Sequence, residues 1–341
     1  MMLSSLVLAL FLSPTSHAAE ADNFTARRMD VADIAEPMNA LANGYLKKAV
    51  ADANLGGACD EGRLYEELQK FFANHSSGRL IQDVLYKKKV PLTVIPLKES
   101  IYKEWDIWDG YLLGRSKAAK SPLALTPMVR VGDTIVGVDK FEHLFGMGFI
   151  YFDKYYRKGE SLRSVLKNGV FREKTALGGN MFATGVFSYA DLSANFNGLR
   201  FWNHMLQKKN DVLGKNENLG PYVKCDAGKW AVNPSKSIDF RNYMDASMDE
   251  SINCSKFARS SGEEKFRKSL TRLSFVDAEG NTTCPVEPAK LEAMKTKYDA
   301  ANSGIVPYLD LTPFVVNSRG TEKVSYINEV QPLWYTIQNP F

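Results

Sequence analysis

The segment from Asp139 to Leu206 constrains this chain more than any other, because apolar side chains recur there at helical spacing in three successive runs. Phe141, Leu144, Phe145, Phe149 and Phe152 predict a helix over about 140–156. Leu162, Val165, Leu166 and Val170 predict a second over about 161–174, and Leu192, Phe196, Leu199, Trp202 and Leu206 a third over about 190–207. Between the second and third, "TALGGNMFATGVFS" has the glycines and short apolar runs of a β-hairpin. The order helix, helix, hairpin, helix implies an α+β fold that is mostly helical.

One residue breaks the pattern. Leu162, Leu166, Gly169 and Glu173 fall on one helical stripe, so Glu173 extends an apolar face to the point where two glycines follow. A carboxylate is disfavoured there both by the negative end of the helix dipole and by apolar neighbours. A carboxyl that keeps its proton near neutrality is what general-acid cleavage of a glycoside requires. The competing reading is that Glu173 lies past the buried face and pairs with Arg172 or Lys174.

A glycosidase needs a second carboxylate within about 5–9.5 Å. Asp191 lies across the expected hairpin and is the first choice, although Ser188 and Asp191 also fit an S-x-x-D capping arrangement. Glu142 is the competing acid, but Asp139 and Glu142 match a D-x-x-E capping box. Asp153, on the same face as Glu142, would stand ~16 Å from it along a continuous helix, outside the working range. His143 could be an oriented base or a satisfied core histidine. Thr184 and Ser188 could hold a water or a sugar hydroxyl, Tyr189 could stack on a sugar face, and Trp202 reads as core. Asp249 and Glu250, in "MDESIN", read as solvent-facing.

Export is the other strong signal. "LVLALFL" (Leu6–Leu12) is followed by Pro14 and a small-x-small pair, Ser16 and Ala18. This predicts a cleaved signal peptide over 1–18 and a secreted or periplasmic chain. No other run suits a membrane span, so no stable insertion is expected. Cys59, Cys225, Cys254 and Cys284 suit two disulfides in an oxidising compartment, and all three pairings are open. With no Cys-x-x-Cys and few histidines, no metal or other cofactor is expected. The net charge of +4 is far from that of a nucleic-acid-binding chain.

The remaining segments are helix-rich. Helices are expected over residues 37–52 and over Asp60–Phe72 with Asp60 as N-cap, in "SIDFRNYMDASMDESI", and in "PAKLEAMKTKYDAA". Lys87–Lys89 read as a solvated edge, with polymer binding as the alternative. "SPLALTPMVRVGDTIVG" reads as a loop or strand connection. The resulting division is an N-terminal helical region (19–120), a core (121–260) and a C-terminal helix with a wrapping tail (261–341).

"VDKFEHLFGMGFIYF", "REKTALGGNMFATGVFSYADLSANFNGLRFW" and "MDESIN" resemble blocks of a secreted Gram-negative family in the lysozyme superfamily, similar to the lysozymes with which predatory bacteria cut N-deacetylated peptidoglycan. The resemblance covers about residues 135–255. It implies a lysozyme-like helix–hairpin–helix core, a monomer acting on peptidoglycan, and a catalytic pair of glutamates. Glu173 matches the first by its place at the helix end. The second has no counterpart, since the hairpin offers Thr184. The sequence thus points to a muramidase-like glycosidase with Glu173 as acid, and secondarily to a non-catalytic envelope protein that binds wall or a protein partner.

Overall fold

The structure is a computed structural model, and it describes residues 20–114, 125–177, 183–299 and 311–317. The expected signal peptide and most of the expected wrapping tail lie outside these residues.

Two helices form the spine. Labelling elements in chain order, α1 is Asn23–Ala26, α2 Ala35–Asn54, α3 Glu61–Gln69 and α4 Arg79–Leu85. A hairpin follows, β1 (Met128–Val131) and β2 (Thr134–Gly137), paired Val129 to Val136 with Gly132 at positive φ in the turn. Then come α5 (Asp139–Phe152), α6 (Leu162–Arg172), β3 (Val186–Phe187) and α7 (Tyr189–Leu206). The remainder is β4 (Val223–Asp226), β5 (Lys229–Val232), β6 (Lys256–Phe257), α8 (Ser260–Arg272), α9 (Pro288–Tyr298) and α10 (Thr312–Val315). The fold is α+β, rich in helix, with small antiparallel two-stranded sheets.

Helices α5 and α7 cross with their backbones in contact. A Cβ on Gly148 would lie 2.4 Å from the Gly198 Cα, and one on Gly198 would lie 2.1 Å from the Leu144 carbonyl oxygen. Only glycine permits this approach. The Trp202 indole N–H donates to the Phe145 carbonyl (2.9 Å), and Phe145, Phe201 and Phe240 pack around the crossing. One apolar cluster runs from Ile34 on α2 through this spine to Val316. Helix α6 seats beside α5 because Gly169 leaves room for the Tyr151 side chain. Two disulfides, Cys59–Cys225 and Cys254–Cys284, resolve the pairing that the sequence left open.

Three expectations are corrected. Among the described residues the strand before α7 has a distant partner and no local one: β3 pairs with β6, Val186 opposite Phe257. Residues 178–182 of the expected hairpin lie outside the described residues. A local hairpin does form at β1–β2, a stretch the sequence offered as a loop or strand connection. Its burial pattern is irregular, so period-2 alternation was weak. The stretch "SIDFRNYMDASMDESI" is not a helix; it makes two 3-10 turns, Phe240–Asn242 and Ala246–Met248, capped by Asp239 and Asp245. Closely spaced aspartates compete for backbone N–H groups and break helical propagation.

Candidate functional site

The polar centre lies where α5, the start of α7 and the 249–255 segment meet. Each element presents polar side chains one turn apart. Asp139 and His143 are i,i+4 on α5, and Asp191 and Asn195 are i,i+4 on α7, so each pair shares a face. His143 is clamped between them. Its Nδ1 lies 3.0 Å from Asn195 Oδ1 and its Nε2 lies 3.1 Å from Asp191 Oδ2.

Lys140 sits at the middle, fully buried. Its ammonium donates to Asp139 Oδ2 (2.7 Å), Asp191 Oδ1 (2.5 Å) and Glu250 Oε1 (2.7 Å). Sequence reading missed both Lys140 and Glu250. Glu250 does not face solvent: it is buried, and it also accepts from the Ser188 and Ser255 hydroxyls. Asp249, also assigned to solvent, is buried against Arg27 at 2.7 Å. The signal available was two adjacent acids inside "MDESIN", a segment whose Met248, Ile252 and Cys254 are core.

Ser188 touches both residues of the expected pair, the Glu173 carboxyl and the backbone of Asp191. It is the N-cap of α7, and its Oγ accepts from the Asp191 N–H (3.2 Å), so the capping expectation holds for the serine. In a complete capping box the third helical residue would accept from the N-cap N–H. Here Asp191 is drawn to Lys140 and His143 instead, and the Ser188 N–H donates to Glu173 Oε1 (3.2 Å). Glu173 takes the place that Asp191 leaves.

Glu173 is 0% exposed, and its Oε2 has no hydrogen-bond partner among the described residues. It does not terminate the helix. Helix α6 passes into a π-helical turn, Glu173–Leu177, which widens the coil where this side chain enters the core. Burial, then the charge of Asp191, push its carboxyl up to about 8, against the pull of His143 and Lys140. Burial also raises Asp191, but His143 and Lys140 outweigh it and hold that carboxyl below the usual range. Burial alone would lower His143, yet Asp191 carries it up to about 9. Burial raises Asp139 to about 7, despite Lys140.

The other expected residues divide. Asp139 and Glu142 form no capping box: Val138 precedes the helix without a side-chain cap, Asp139 bonds Lys140, and Glu142 turns to His75 Nδ1 at 2.9 Å. The reason is that both acids are buried, where a cation or imidazole is a stronger partner than a backbone N–H. Thr184 is buried, and its hydroxyl accepts from the Val186 N–H (3.3 Å) and hydrogen-bonds Glu20. Tyr189 is half-buried, edge-on to Phe187, with Lys256 Nζ 5.2 Å from its ring centre.

Asp139, His143 and Asp191 each offer one ligand atom, all within 4.8 Å of one another. Two of the three already bind the Lys140 ammonium, which supplies the positive charge at that point. A cleft of about 380 Å³ lies elsewhere, lined by Lys103, Glu104, Lys265, Lys268, Ser269 and Arg272, with none of the expected site residues. No protein-family profile, curated protein or solved structure matches the chain.

Proposed function

We propose that this chain is a glycoside hydrolase of the envelope, acting on peptidoglycan, with Glu173 as general acid and Asp191 as the ionised partner. One observation carries the reading: two buried carboxyls, the charge of one acting on the other, are driven in opposite directions, Glu173 up to about 8 and Asp191 below its ordinary range. Paired acids split in this way are the arrangement by which one group keeps a proton to give while the other stays charged. Glu173 would protonate the glycosidic oxygen as the bond to the sugar breaks. Asp191 would stabilise the cation that forms or activate the water that adds to it. His143 and Lys140 would hold Asp191 ionised through the cycle.

A second reading is a non-catalytic envelope protein built on the same centre. It is favoured by the complete burial of Glu173 and by the engagement of both Asp191 oxygens with Lys140 and His143.

The decisive experiment incubates the purified chain and Glu173→Gln with intact and with N-deacetylated sacculi and measures released reducing ends. Release by the wild type that falls at least a hundredfold in Glu173→Gln supports the hydrolase. Equal release from both proteins, or sedimentation with sacculi and no release at any pH, rules it out and leaves the binding protein.

A further inference from the structure

The surface at the end of α4 gathers cations over a buried acid. From Arg79 to Lys89 the chain reads "RLIQDVLYKKK", four cations against one acid. That acid, Asp83, is buried beneath them. Lys87 Nζ reaches it at 2.7 Å, Lys89 Nζ at 2.5 Å and Arg79 Nε at 3.4 Å, and the Tyr45 hydroxyl also donates to it. The carboxylate side chain is 0% exposed, while Arg79, Lys87 and Lys89 are about half exposed. Solvent therefore meets the cations and not the acid that gathers them.

The loop that carries them is shaped for presentation. Lys88 adopts φ 50°, in the left-handed region, which turns the chain sharply at the middle lysine. No acid among the described residues lies within ion-pair distance of it. Tyr86, one of the large hydrophobic side chains exposed among the described residues, stands at 61% exposure immediately before the three lysines. Holding three cations on one carboxylate leaves excess positive charge that a second, external anion would offset. An exposed tyrosine beside a lysine cluster is the pairing that suits a lipid headgroup layer, with the ring at the interface and the ammonium groups on phosphates.

We propose that Arg79, Tyr86, Lys87, Lys88 and Lys89 form a docking surface for an anionic phospholipid membrane. The surface binds headgroup phosphates through the lysines and seats Tyr86 among the headgroups, holding the protein at the bilayer without insertion. Charge complementarity selects this occupant, and the aromatic ring separates a membrane from a soluble phosphate polymer. The inference is independent of the chemistry at Glu173.

The test is co-sedimentation of the full chain with vesicles of phosphatidylcholine alone and of phosphatidylcholine mixed equally with phosphatidylglycerol. Inorganic phosphate and polyphosphate serve as soluble competitors. Binding is expected only to the mixed vesicles, falling steeply as salt is raised. Lys88→Ala should weaken it about fivefold and Lys88→Glu by more, since each basic residue near an anionic surface carries about that factor. Tyr86→Ala should weaken it as well. Neither residue holds the fold, so melting curves of the variants should match the wild type. Equal binding to both vesicle types, or binding unchanged in Lys88→Glu, overturns the proposal. Polyphosphate that binds the free protein as well as vesicles do, with no effect of Tyr86→Ala, also overturns it, because the surface would then read phosphate and not a membrane.

Discussion

Replacing Glu173 by glutamine should stabilise this protein at neutral pH, by an amount set by the proton the side chain is made to keep. The ordinary carboxyl value is 4.5, and in the fold it is pushed up to about 8. Between those limits the folded chain binds a proton that the unfolded chain has released. Stability from this group is therefore intact below pH 4.5 and falls by ~1.4 kcal/mol for each pH unit above it, levelling off past about 8. At pH 7 the loss is ~3 kcal/mol. The amide is the neutral isostere of the protonated acid, with an oxygen to accept from the Ser188 N–H, so Glu173→Gln removes the loss. Urea denaturation of both proteins from pH 4.5 to 9 should show curves that nearly meet at the acid end and separate steadily to pH 8. A gap of ~3 kcal/mol corresponds to about 5 °C in melting temperature for a chain of this size. His143 acts in the same direction: its contribution is full below its ordinary 6.5 and is lost as pH rises through about 9. The wild-type curve alone therefore decides nothing, and the difference between the two proteins carries the test. A difference that stays flat with pH, or a variant that is less stable at pH 7, would refute the reasoning.

Three further outcomes follow from the packing and the charges. Lys140→Met should destabilise by about 3–5 kcal/mol at pH 7, because Asp139, Asp191 and Glu250 lose their shared cation; the loss should shrink in denaturation at pH 4, where those acids can take protons. Gly148→Ala should cost about 1–3 kcal/mol by forcing α5 off α7, whereas Gly146→Ala, whose Cβ would meet nothing within 4 Å, should be neutral or slightly stabilising in the same melts. Serine replacement of Cys59 and Cys225, which close a loop of 166 residues, should cost about 5 kcal/mol, against about 4 kcal/mol for Cys254 and Cys284 across 30 residues, as read by chemical denaturation.

The helices of the spine were legible because each writes its own periodicity: α5, α6 and α7 fall within a residue or two of where Phe141, Leu166 and Trp202 place them, allowing for the π-helical continuations of α5 and α6. Asp60 and Ser188 were legible as caps, since a cap is a local contract between a side chain and an N–H three residues on. The pairing of β3 with β6 was not legible. Two-residue strands carry no alternation, and their partners are separated by the whole of α7. The centre was half legible. Glu173 stood out as an acid on an apolar stripe and Asp191 as its neighbour across the expected hairpin, but Lys140 was not singled out and Glu250 read as a solvent-facing acid. Their ion pair joins segments 110 residues apart, and the one local hint was the apolar Met248, Ile252 and Cys254 around Glu250.

The same centre explains why Glu173 keeps a proton. Five carboxyls, those of Glu20, Asp139, Glu173, Asp191 and Glu250, act on one another around two cations, Lys140 and His143. A buried centre cannot hold that much excess negative charge, so some of the acids must be neutral. The contacts decide which. Asp191 touches both cations and is the only one of the five held below its ordinary value. Asp139 and Glu250 share Lys140 and are raised. Among the described residues Glu173 bonds neither cation, and a single backbone N–H meets its carboxyl. Its carboxyl is thus raised first by burial and then by the Asp191 charge, and the two cations, bonded to other acids, offset them only in part. The pattern of apolar residues singled out Glu173, but its link to Asp191 runs through space, by the charge of one carboxyl acting on the other, while Ser188 binds the Glu173 carboxyl and the Asp191 backbone.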